Sequence, residues 1–226
     1  MVDYPVAFIA GTAVRGAAAS VLMRNVLARH PLAFLVTLAS WGLTVPMSRS
    51  QTHILRDIDA NLDRLGWPRD TPIGVVGHSQ GGLAAARFAA SYPDRTRALV
   101  CVGAPFAGAR SASRVVRLLG PAAPAAIADM TPSSGFLDAL REDMGPVLGR
   151  TTNIFASHEM FFSPYTAAYL PGAYNILASS HDDYRKHLRR FPQFVLDEHI
   201  PVGVNHLSEM TSPHVRATIY SRLESF

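Results

Sequence analysis

The chain has 226 residues, 48% of them apolar and 17% charged, with a net charge of +4 and one cysteine. That size suits one domain with a substantial core, and the modest charge excludes a largely disordered chain. The single Cys101 excludes an internal disulfide, and the positive charge comes from arginine almost alone, because Lys186 is the only lysine.

The first residues, Met1-Val2-Asp3-Tyr4-Pro5, carry an acid and no basic run, so they do not read as a secretory signal. The expected location is the cytoplasm, or outside the cell if a leader has been removed. A strand is expected over residues 6–9, followed by the small-residue turn Ala10-Gly11-Thr12-Ala13. A helix is expected over about 16–28, with Val21, Leu22, Val26 and Leu27 on one side. Residues 31–40 read as a second helix, apolar nearly all round and opened by Pro31, and Leu43-Thr44-Val45 as a short strand. The uncharged run from Pro31 to Pro46 is too short, and too broken by Pro and Gly, to span a bilayer. No stable membrane insertion is expected.

Ile54, Ile58, Leu62 and Leu65 mark one stripe of an amphipathic helix, which Gly66 and Pro68 stop. Next comes the most informative stretch, Ile73-Gly74-Val75-Val76-Gly77-His78-Ser79-Gln80-Gly81-Gly82. A β-branched run enters a Gly-x-Ser-x-Gly turn and an alanine-rich helix leaves it. In that context a serine becomes an exposed nucleophile at the top of an α/β sheet. Gly77 and Gly81 are needed because a β-carbon at either would collide with backbone in so tight a turn. Tyr92-Pro93 closes the helix, and residues 98–102 read as a buried strand that makes Cys101 inert. Residues 109–150 form a helical, loop-rich excursion broken by Pro121, Pro124, Pro132 and Pro146. Strands are expected at 153–156 and 174–178, a polar excursion at 179–192, and a terminal helix from Pro213 carrying Val215, Ile219 and Leu223. Alternating strands and helices imply a mostly parallel sheet with helices on both faces. The basic run Arg185-Lys186-His187-Leu188-Arg189-Arg190 reads as a solvated face. No aromatics interleave with it to stack on bases, so nucleic acid is not an expected partner.

A serine hydroxyl needs a base within hydrogen-bond reach, and the base needs a carboxylate to fix its tautomer. In this strand–turn–helix setting the chain order is serine, acid, histidine. His206, in the loop Val202-Gly203-Val204-Asn205-His206-Leu207-Ser208 before the last helix, is the expected base, with His214, His199 and His181 as rivals. Glu159, at the end of Asn153-Ile154-Phe155-Ala156-Ser157-His158-Glu159, is the expected acid. Asp182, Asp183, Asp197, Glu198 and Asp129 are its rivals. Backbone amides of Gln80 and Thr12 are the expected oxyanion-hole donors. Phe106, Phe161 and Phe162, with the apolar 31–40 segment, are candidates for an acyl site, core packing being the alternative for each. No metal cluster and no phosphate loop is legible, so no metal and no cofactor is expected. Oligomeric state is not legible either.

These pieces together resemble the small bacterial triacylglycerol lipases and esterases of the α/β-hydrolase superfamily, over nearly the whole chain. The resemblance is carried by Gly77-His78-Ser79-Gln80-Gly81-Gly82, by residues 102–108 and by residues 129–137. It continues through Asn153 to Pro164 with Leu170-Pro171-Gly172-Ala173-Tyr174-Asn175, and through Val204-Asn205-His206-Leu207-Ser208. It implies an α/β-hydrolase fold in one domain, residues 1–226, and cleavage of a small ester or acyl substrate by Ser79, His206 and Glu159 through an acyl-enzyme. The chain differs from that family in three ways. Ala10-Gly11 replaces the usual His-Gly, Glu159 replaces the usual aspartate, and Glu159 lies 47 residues before His206, so residues 179–200 look inserted near the site. The alternative is a lipase-like biosynthetic enzyme that transfers an acyl group, releases a thioester, or eliminates or cyclises an ester. A non-enzymatic binding module on the same fold is a third reading.

Overall fold

The computed structural model describes residues 3–11, 16–28, 30–36, 38, 42–162 and 164–226. Seven parallel strands form one sheet: β1 (Val6–Ile9), β2 (Ala33–Val36), β3 (Ile73–His78), β4 (Thr96–Val102), β5 (Thr151–Ala156), β6 (Tyr174–Ser179) and β7 (Glu198–Pro201). Their order across the sheet is β2-β1-β3-β4-β5-β6-β7, so the chain reverses direction of growth after β2 and then adds strands to one side. The helices are α1 (Gly16–Val26), α2 (Ser50–Leu65), α3 (Gln80–Ser91), α4 (Arg110–Leu119), α5 (Ala125–Asp129), α6 (Gly135–Asp143), α7 (His181–Arg190) and α8 (Pro213–Glu224).

Period-two alternation along each strand divides the core. Ala7, Ile9, Val75, Leu99 and Cys101 face α2, α3 and α6, whereas Val6, Phe8, Val76, Ala98 and Val100 face α1 and α8. Both faces are covered, as an all-parallel sheet requires, because crossover helices must lie on its faces. The stripe Ile54-Ile58-Leu62 on α2 and the triplet Val215-Ile219-Leu223 on α8 are buried as their spacing predicts. Val21, expected on the packed side of α1, is instead exposed.

The expected helix over 31–40 is a correction: residues 33–36 are strand β2, and residues 37, 39 and 40 lie outside the described residues. Phe34 and Val36 pack on one sheet face while Ala33 and Leu35 pack on the other. A strand apolar on both faces has no alternation to distinguish it from a buried helix. The expected strand at 43–45 is a turn. The polar excursion holds a regular helix, α7, capped by the Ser180 hydroxyl on the Asp183 amide. The edge strand β7 after it was not foreseen. It buries only Ile200, too little apolar signal to read.

Candidate active site

Parallel strands present their C-terminal ends on one edge of the sheet, and the loops leaving β1, β3, β5 and β7 meet there. Ser79 caps the junction of β3 and α3 with φ +58°, the one non-glycine residue in the left-handed region among those described. That conformation is strained for a residue with a side chain. The surrounding backbone holds it: the Ser79 amide donates to the Val102 carbonyl at 2.8 Å, and the Gly82 amide donates to the Ser79 carbonyl at 2.9 Å. A β-carbon on Gly77 would lie 2.5 Å from the Gly81 carbonyl oxygen, and one on Gly81 would overlap the Ile9 carbonyl. The glycines are therefore what allow α3 to start directly against the sheet. Gly11, just past the end of β1, abuts the Ser79 side chain.

Gln80 opens α3. Its side-chain amide donates to the Gly42 carbonyl and contacts Met47 Sδ, tying the elbow to the segment ahead of α2. Thr12, the other expected oxyanion donor, lies outside the described residues. Asp129, a rival acid, accepts from the Met47 backbone amide at 2.6 Å instead of approaching the histidine. Burial raises the pKa of its carboxyl, which the Met47 hydrogen bond partly offsets.

On the far side of the sheet's edge, a parallel bridge between His158 and Asn205 joins the loop after β5 to the loop after β7. Asn205 stiffens its own turn by accepting from the amides of Leu207 and Ser208, both at 3.0 Å. The bridge sets Glu159 against His206: His206 Nδ1 donates to Glu159 Oε2 at 2.9 Å. The other carboxylate oxygen accepts from the Met160 and Phe161 amides, each at 2.9 Å, so the acid is fixed at both ends. This bonding selects the imidazole tautomer protonated at Nδ1. The Glu159 side chain is almost fully enclosed although its backbone is not.

Ser79 and His206 line one cavity of about 560 Å³. Its wall is mostly apolar, with Leu43, Val115, Ile127, Met130, Phe161 and Phe162 among the lining residues. Phe161 and Phe162 also pack on the His206 ring, at 4.9 and 5.8 Å between centroids. Phe106 is a correction: it is fully buried in the core beneath α3 and α6, while its neighbour Pro105 reaches the cavity. A large ring just after a strand's end packs down more favourably than it faces an opening. Of the described residues in the apolar 31–46 run, Leu43 lines the cavity. Among the described residues, none of the other rivals bonds to His206 or Ser79. Asp182 and Asp183 pair with Arg185 and Lys186, Asp197 accepts from the Asn175 amide, and His199 contacts Ser179 and His181. Glu198 is exposed on β7, and His214 lies in the first turn of α8.

Two residues of the site were not foreseen. His78, inside the elbow motif, is buried, and its ring lies tilted against that of His206 at 4.7 Å between centroids. Burial first, then the neighbouring imidazole, pushes its pKa down to about 3, so it is neutral and its Nε2–H donates to the His206 carbonyl at 3.1 Å. Glu209, three residues after His206, is wholly buried beside both rings. Its three-residue spacing from His206 was visible in sequence, but nothing local announced that a turn would fold the carboxyl inward. His78, His206 and Glu209 lie close enough to share an ion. Glu159 already occupies His206 Nδ1, however, and His78 Nε2 acts as a donor, so neither offers that set a lone pair.

Comparison with known proteins follows the same lines. A family model described as alpha/beta hydrolase fold matches residues 43–194. Sequence comparison with curated proteins gives no match. Among solved structures, lipase B of Aspergillus fumigatus superposes with a TM-score of 0.67 at 15% identity, covering 98% of this chain. The chain spans about half of that protein, 52% of its length. The mature lipase BlEst2 of Bacillus licheniformis gives 0.60 at 11% identity, over 98% of this chain and 92% of that one. A meta-cleavage product hydrolase of Pseudomonas fluorescens gives 0.57 at 13%, over 98% and 91%. At these identities the likeness is one of fold.

Proposed function

Because the chain belongs to the alpha/beta hydrolase fold family, we propose that it hydrolyses carboxylic esters, with Ser79 as nucleophile, His206 as general base and Glu159 as the orienting acid. One observation carries the reading. A carboxylate clamped by two backbone amides holds His206 Nδ1 at 2.9 Å, and that imidazole shares an apolar cavity with a serine on a strained elbow. With Nδ1 committed to Glu159, Nε2 is the nitrogen left to take the serine proton.

Ser79 Oγ attacks the ester carbonyl carbon while its proton passes to His206 Nε2. The imidazolium so formed is stabilised by Glu159, then returns the proton to the departing alcohol as the acyl-enzyme forms. Water repeats the sequence and frees the acid. The Gln80 and Thr12 amides are the donors for the oxyanion, at a site where each such donor contributes about 3–4 kcal/mol. The cavity wall, including Phe161 and Phe162, suits an apolar acyl group. The lipase names among the structural neighbours agree with that substrate class.

A p-nitrophenyl ester panel with the Ser79→Ala variant tests this. The parent is expected to turn over esters and to be labelled at Ser79 by a fluorophosphonate, and the variant to lose roughly 10⁴-fold or more in kcat. Hydrolysis that survives Ser79→Ala overturns the proposal. Labelling of Ser79 with silence across the panel would replace hydrolysis by acyl transfer or thioester release on one specialised substrate.

A further inference from the structure

Glu209 has no part in the scheme above, yet it is placed against its base. It is 0% exposed, and neither carboxylate oxygen has a hydrogen-bond partner of ordinary geometry among the described residues. Oε2 lies 3.9 Å from His206 Nδ1 and 3.9 Å from His78 Nε2. Gly103 closes the third side with φ +57°, and a β-carbon there would stand 2.5 Å from Oε2 and 3.0 Å from His206 Nδ1. The loop after β4 is thus shaped around this carboxyl and this imidazole together.

An unpaired carboxylate in such a place is strongly disfavoured, and it neutralises instead. The titratable groups facing Glu209 are Glu159, His206 and His78. Desolvation is the largest influence raising its pKa, and the charge on Glu159 adds to it. A backbone contact at Ala156 offsets part of the rise. His78, neutral, supplies no compensating charge.

We propose that Glu209 is a positioning residue held in reserve: a second acid for His206, protonated while Glu159 is ionised and able to replace it at Nδ1 when that charge is removed. Desolvation first, and then the charge on Glu159, oppose a second carboxylate beside this imidazole, so Glu209 holds its proton. When Glu159 is neutralised, the Glu209 hydroxyl releases its proton to water. The resulting carboxylate accepts the His206 Nδ1–H bond, after an approach of about 1 Å that brings 3.9 Å into hydrogen-bond range. This inference rests on the assignment of His206 as base.

The test uses Glu159→Gln, Glu209→Gln and the double variant, assayed with p-nitrophenyl butyrate across pH, together with infrared difference spectra of the carboxyl stretch. Glu159→Gln is expected to keep kcat/KM about ten-fold or more above the double variant. Its activity should climb with pH where the parent is flat, because Glu209 must first lose its proton. The protonated-carboxyl band of Glu209 is expected to persist in the parent and to disappear in Glu159→Gln over the same pH range in which that variant's activity climbs. Recorded in the Ser79→Ala background, the spectra need no catalysis, so they separate failure of this inference from failure of the esterase reading. If Glu209→Gln does not fold, the band in the parent against Glu159→Gln decides alone. Equal activity of Glu159→Gln and the double variant, or an ionised Glu209 in the parent, overturns the proposal.

Discussion

The two flanks of the cavity are built on opposite terms. On the elbow flank, all six residues of β3 are buried and α3 buries nine of its twelve, most of them alanine or glycine. On the facing flank, α4 buries only Ala112, and Met160, Phe161 and Leu207 stand 68%, 50% and 61% exposed. Ser111 Oγ, donating to the Phe161 carbonyl, ties α4 to the loop after β5. The contrast separates two tasks. Orienting a nucleophile demands backbone fixed by close packing, whereas accepting an apolar substrate demands apolar surface left uncovered.

Acid exposes the elbow flank first. His78 is neutral in the folded protein with its pKa depressed to about 3, against 6.5 for the free side chain. The unfolded chain therefore binds a proton that the folded one refuses. This contribution is complete above pH 6.5 and is lost as pH falls toward 3, reaching about 5 kcal/mol. Urea unfolding at stepped pH should show that slope, and His78→Gln should flatten it. A parent whose stability is level from pH 6.5 to 4 would refute this account of the elbow.

Gly77→Ala probes the same flank sterically, since the added methyl meets backbone of Gly81 and Gly82 at 2.5 and 2.7 Å. The expected loss is about 3 kcal/mol, or roughly 6–12 °C in Tm. A variant as stable as the parent would mean the elbow is looser than its geometry. The smallest effect belongs to the facing flank. Phe161→Ala should raise KM for a butyrate ester about five-fold through lost apolar contact, with Tm changed by no more than about 2 °C. A large fall in Tm would show that this flank, too, is structural.

Legibility in the sequence followed the same division. The elbow could be read because its requirements are local: glycine where backbone closes in, a β-branched strand before, an alanine-rich helix after. Glu159 was legible as a loop residue after a strand and His206 as one in a glycine-containing loop before the last helix, and the structure brings their side chains together. Phe106 was misread because exposure is not a local property, and β2 because a strand covered on both faces has no periodic signature.

What the chain determined by itself is the alternation of strands and helices, and with it a parallel sheet, since short hydrophobic runs and helix stripes obey near-neighbour rules. Only the tertiary structure decided which carboxyl meets the imidazole and which is left alone beside it. Glu159 reaches His206 across 47 positions through the bridge of His158 to Asn205, whereas Glu209 lies three positions away, buried and without a hydrogen bond of ordinary geometry among the described residues. Charge and hydrogen bonding depend on distance through space and on the exclusion of water, and neither is written in the order of residues.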